Sequence, residues 1–148
     1  MSGSRELGAA FDMMALTVVA KFAKGNNYEI HLEGTLARCR VWRRPDLTMA
    51  QGAECAREKV AHFRALAGGR AKTMLFDLSE APVVAGPKSQ AALGEMFNAF
   101  ERAHKRIAIV SRDGMQELQL SRLANEQAST RGRVFTDREA AIRWLSDG

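Results

Sequence analysis

Residues 73–79 read TMLFDLS, and how this stretch is read decides the fold. Met74, Leu75 and Phe76 are apolar without a polar residue between them. A half-exposed strand alternates, so a short unbroken run is what a strand covered on both faces shows. Ile107, Ala108, Ile109 and Val110 repeat the pattern, and Val134-Phe135 is a shorter third case. Helical patterns separate these runs. Pro87 suits a first helical turn, where its missing N–H costs nothing, and Leu93, Met96, Phe97 and Phe100 follow at helical spacing. Asp113 and Gln116 cap the next helix, whose apolar residues include Met115, Leu118 and Leu123. Thr136 and Glu139 read as a capping box, with Ala141, Trp144 and Leu145 buried behind it. Helix alternating with covered strand implies right-handed crossovers and a parallel sheet.

Upstream the pattern changes. Tyr28, Ile30 and Leu32 alternate with Glu29, His31 and Glu33, then Ala37, Cys39 and Val41 alternate with Arg38, Arg40 and Trp42. Gly34-Thr35 turns the chain between them, so the two strands form an antiparallel hairpin, which Pro45 ends. Thr48 and Gln51 form a capping box, and Met49, Ala53, Ala56, Val60, Phe63 and Ala67 give the buried stripe of its helix. Gly68-Gly69 closes that helix as a left-handed stop. Leu7, Phe11, Met14, Val18 and Phe22 have helical spacing, while β-branched Val18 and Val19 leave a strand over residues 16–22 open. Residues 1–24 are therefore an N-terminal extension, an amphipathic helix or an extra strand. Residues 25–148 are one α/β domain: an N-terminal hairpin leading into a mixed, largely parallel sheet of about five strands with about four packed helices.

The 148 residues are 46% hydrophobic and 26% charged, a globular mix with enough chain for one core. The apolar stretch from Ala9 to Ala23 is broken by Asp12 and Lys21, too short and too charged for a membrane span or a secretory leader. Cys39 and Cys55 form no metal or redox motif and read as buried thiols of a reducing, cytoplasmic compartment. The net charge of +5 permits an anionic partner without choosing one.

No residue pattern assembles a catalytic centre. His31, His62 and His104 form no zinc-binding spacing, and no nucleophile elbow, phosphate loop or dinucleotide fingerprint occurs. Neither a metal nor a cofactor is expected. Asp77 ends a covered strand, where ligands bind in open α/β sheets, but an Asp there also caps the turn that follows. Arg38, Arg40, Arg43 and Arg44 flank Trp42 in a possible basic surface for nucleic acid, which Glu29, His31 and Glu33 across the hairpin would neutralise. Met74, Met96, Phe97, Phe100 and Met115 are apolar enough to line a pocket for a lipid or other apolar ligand, or simply to fill the core.

The ordered set of RPDLT before a helix, FDLSEAP, KRIAIVS and RVFTDREAAIRWL resembles the STAS superfamily over residues 28–146. It is most similar to the bacterial SpoIIAA-like group, which borders on the CRAL-TRIO lipid-binding fold. The resemblance implies a cytoplasmic, non-catalytic module that binds a protein partner, as anti-sigma-factor antagonists do. It places the docking surface at the loop running from Ser79 to Gly86 and at Pro87, Lys88 and Ser89. Family members carry a phosphorylated serine at this helix start, where N–H groups and the dipole stabilise phosphate. Here the Asp-Ser pair is replaced near Ala85, Gly86 and Pro87, so the phosphoserine switch is not expected and Ser89 is the nearest hydroxyl. A homodimer through Leu7, Phe11, Met14 and Val18 is a further expectation. An apolar-ligand carrier is the alternative function; an enzyme built on Asp77 ranks last, close to nucleic-acid binding.

Overall fold

The structure, a computed structural model, describes residues 19–82 and 86–147. Its strands are β1 (Val19–Lys24), β2 (Tyr28–Glu33), β3 (Leu36–Trp42), β4 (Thr73–Glu80), β5 (Arg106–Val110) and β6 (Gly132–Phe135). Its helices are α1 (Met49–Ala67), α2 (Pro87–Arg102), α3 (Gly114–Glu126) and α4 (Arg138–Ser146). All six strands form one sheet in the order β1-β2-β3-β4-β5-β6. The first two pairings are antiparallel and the next three parallel. The expected mixed α/β architecture is present, and the N-terminal extension adds a sixth strand, one of the two alternatives left open for it.

That strand is β1. Residues 19–24 are not helical; they pair with β2, from Val19 opposite Glu33 to Lys24 opposite Glu29, with a bulge between Lys21 and Ala23. The outer edge of β2 offers a row of backbone partners, and pairing with it overrides the helical spacing of Val18 and Phe22. Leu7, Phe11, Met14 and Val18, on which the dimer expectation rests, lie outside the described residues.

The unbroken apolar runs have a simple cause. Met74 and Phe76 point into a core with Ile30, Cys39, Ile107 and Ile109, closed by α1, α2 and α3 through Phe63, Phe97, Phe100 and Leu120. Leu75, Ala108 and Val110 point the other way and are covered by Ala141 and Leu145 of α4. Successive residues of one strand thus enter different cores. Right-handed crossovers between sequential neighbours put α1, α2 and α3 on one face, and only α4 crosses to the other.

Helix ends follow local chemistry, with three departures. Thr48 N–H donates to Gln51 Oε1 at 2.8 Å and Gln51 N–H to Thr48 Oγ1 at 3.1 Å, completing the expected box. The last helix is capped by Asp137, not Thr136: its carboxylate accepts from Glu139 N–H at 3.0 Å. Gly68 ends α1 at φ −84°, in the right-handed region, so it is not a left-handed stop. The third departure concerns Met49, Met115 and Leu118, which are exposed rather than buried. The true buried stripe of α1 is Cys55, Val60, Phe63, Leu66 and Ala67.

Left-handed stops occur where no glycine stands. His104 (φ 57°) follows α2 and Ala128 (φ 52°) follows α3. In each, two N–H groups return to the last turn: His104 to Glu101 O and Lys105 to Phe100 O, Ala128 to Asn125 O and Ser129 to Ala124 O. A side chain at positive φ costs about 1 kcal/mol that glycine avoids. Ala128→Gly is expected to raise the melting temperature by about 3 °C in thermal unfolding, and His104→Gly to do likewise.

Candidate functional site

The three parallel crossovers begin their helices at the same end of the sheet, beyond the last residues of β3, β4 and β5. Ligands and partners of open α/β sheets meet the fold at this end. Asp77 and Ser79 lie here, both half-buried. Ser79 is not in a loop, since β4 runs on to Glu80. Asp77 Oδ1 accepts from Ser79 N–H at 2.9 Å and from Ser79 Oγ at 2.6 Å. The carboxylate shapes the strand end, as an Asp in a turn does.

The chain leaving β4 is tied to the start of α3. Gln116, 4% exposed, donates from Nε2 to Leu78 O at 3.1 Å and accepts from Arg112 N–H at 2.5 Å. Arg112 Nη1 reaches Ala81 O at 3.2 Å. Asp113 Oδ1 accepts from Gln116 N–H at 2.9 Å, the expected cap. Gln116 does not return to the backbone of Asp113, because its side chain bridges two neighbouring elements instead. Hydrogen bonds from the Gln116 N–H and the adjacent Arg112 outweigh burial and hold the Asp113 carboxyl below its usual range.

Beside this latch, Gly86 (φ 86°) opens α2 with no side-chain cap, followed by Pro87 at the first position. Gly86, Pro87, Lys88 and Ser89 are all exposed. At the starts of α1 and α3, Met49, Met115 and Leu118 are 93%, 83% and 69% exposed. The helix-start end therefore carries three large apolar side chains in water. Sequence reasoning placed Gly86 to Ser89 here, but it put Met49 in a buried stripe, took Met115 as pocket lining or core, and counted Leu118 only among the apolar residues of its helix.

The arginine candidates run along β3 toward this same end, Arg40 opposite Asp77 and Arg43 and Arg44 just past the last residue of the strand. Glu29 stands opposite Arg40 and His31 opposite Arg38 in the hairpin register. Arg38 pairs with Glu33 at 3.1 Å and Arg40 with Glu80 at 3.6 Å, its guanidinium 5.0 Å from the Trp42 ring. Arg44 holds Asp46 with two bonds, at 2.8 and 2.7 Å. Arg43 is exposed. Acidic partners thus offset three of the four arginines. Met74, Met96, Phe97 and Phe100 are within the closed core, whereas Met115 is not. Cys39 and Cys55 are buried free thiols, and burial pushes Cys39 up to about 12, which keeps it protonated.

No family model matches the chain, and no curated protein does.

Among the described residues no three His, Cys, Asp or Glu side chains converge as a metal site. No described helix is long and apolar enough to cross a membrane.

Proposed function

We propose that the protein is a non-catalytic, STAS-type interaction or regulatory module that docks a protein partner on its helix-start end. The observation that carries this reading is the exposure of Met49 on α1 and of Met115 and Leu118 on α3, the helices that precede and follow α2 with its uncapped start. Large apolar side chains left in water suit a surface that a partner covers, and methionine adapts to the shape it meets. Lys88 and Ser89 add a charge and a hydroxyl beside them. The latch through Gln116 and Arg112 holds the connection after β4 against α3, so the surface is set before a partner arrives. The strand order, sequential after the hairpin, agrees with the order of motifs on which the STAS resemblance rests. The surface acts without phosphate on Ser89.

A double variant, Met115→Glu with Leu118→Glu, tests the reading. Both positions are exposed, so thermal unfolding should stay within about 0.5 kcal/mol of the parent. Partner capture from extract of the native cell should fall at least about tenfold, measured by quantitative mass spectrometry. A partner retained at full stoichiometry by this variant and by Lys88→Glu would place docking elsewhere.

A further inference from the structure

The opposite end of the sheet, where the parallel strands start, holds a cleft of about 520 Å³. Its basic lining is Lys72, Lys105, Arg106 and Arg131, with His104 beside them and no carboxylate among the lining residues. These residues are far apart in sequence, and the parallel register gathers them. Thr73 pairs with Arg106 and Ile107 with Gly132, so the strand starts align in a row. Lys72 precedes β4, Lys105 precedes β5 and Arg106 opens it, and Arg131 precedes β6. Strand neighbours are about 4.8 Å apart, so like charges at such positions repel unless an anion sits among them.

Two of the cations are held in place. Arg106 Nη1 donates to Trp144 O at 2.5 Å and its guanidinium lies 4.7 Å over the Trp144 ring. Lys105 Nζ donates to Gly69 O at 3.1 Å. Lys72 and Arg131 make no ion pair within 4 Å among the described residues, although the Glu101 carboxylate is near enough to feel the Arg131 charge. Glu101 is bonded to Thr130 and to the backbone N–H of Arg131, so it folds the turn before β6 and does not line the cleft. Leu36, Ile142 and Leu145 supply an apolar wall. The volume falls in the range of small-ligand sites, about 300–1,000 Å³.

We propose that this cleft binds a water-soluble phosphate monoester. The phosphate sits among Lys72, Arg106 and Arg131, where several donors share a dianion and the arginines offer planar forks to its oxygens. The organic group lies against the apolar wall. The site is at the far end of the sheet from the docking surface and stands or falls without it.

Isothermal titration with phenyl phosphate, at constant ionic strength and with phenol as the uncharged control, tests this. One saturable site for phenyl phosphate and none for phenol is expected. Lys72→Gln with Arg131→Gln should weaken binding at least about tenfold, while Arg43→Gln with Arg57→Gln, an equal loss of charge elsewhere, should leave it unchanged. Absence of binding by the parent protein overturns the proposal, as does equal weakening in both double variants. Vesicles of phosphatidylcholine with phosphatidic acid separate the two sources of a phosphate monoester. Sedimentation with them, when phenyl phosphate neither binds nor releases the protein, would make the ligand a membrane headgroup and overturn the soluble one.

Discussion

Phe63→Ala is expected to remove about 3–5 kcal/mol of folding stability. Phe63 is fully buried in the middle of α1, its ring 4.9 Å from Phe76 of β4 and 6.1 Å from Phe100 of α2. Both contacts are edge-on, an arrangement that adds to the area buried. Alanine leaves a void bounded by two other rings and by the sheet, none of which moves in without giving up its own packing. Domains of this size are stable by about 5–15 kcal/mol, so the loss is a large share of the total. Urea unfolding followed by circular dichroism measures it. A midpoint shift worth under about 1 kcal/mol would mean that α1 does not pack on β4 as described.

Gln116→Leu is expected to cost about 1–3 kcal/mol through a different mechanism, with its damage confined to one region. Leucine fills the space but leaves Arg112 N–H without its partner and takes from Leu78 O one of two donors, the Ala81 N–H remaining. Each buried group left unpaired costs about 1–3 kcal/mol. Amide hydrogen exchange should quicken at residues 78–82 and 112, while the middle of β5 stays protected. Gln116→Glu separates the two bonds: it keeps the acceptor for Arg112 and removes the donor to Leu78, so it should fall between leucine and the parent. If Gln116→Leu is neutral and exchange at 78–82 is unaltered, the side chain is not what ties the chain after β4 to α3.

The parts of the fold legible in the sequence were those with local causes. TMLFDLS and IAIV announced covered strands because each neighbouring pair of residues serves a different core. The hairpin register followed from strict alternation, and Thr48-Gln51 from its box. What stayed illegible depended on distant chain. For residues 19–24 the sequence left helix and strand both open, and what decided was the unfilled edge of β2, which no local spacing reveals. Met49, Met115 and Leu118 are apolar residues near helix starts, but they face water, while Gln116, between the last two, turns inward to Leu78 O. Gly86 to Ser89 was reached through the resemblance and Pro87. The cationic cleft was invisible, because Lys72, Arg106 and Arg131 become neighbours only through parallel pairing.

The uninterrupted order of the sheet bears on how the chain comes together during synthesis. Each strand hydrogen-bonds to the one made just before it, so no gap waits for a later segment to be inserted. A nascent chain lengthens this sheet from one edge only, adding a strand and then the helix that roofs it. The exception is the face closed by α4, where Leu75 and Ala108 stay uncovered until Ala141 and Leu145 have left the ribosome. That interval, rather than any strand insertion, is when the growing protein most needs a chaperone's shelter.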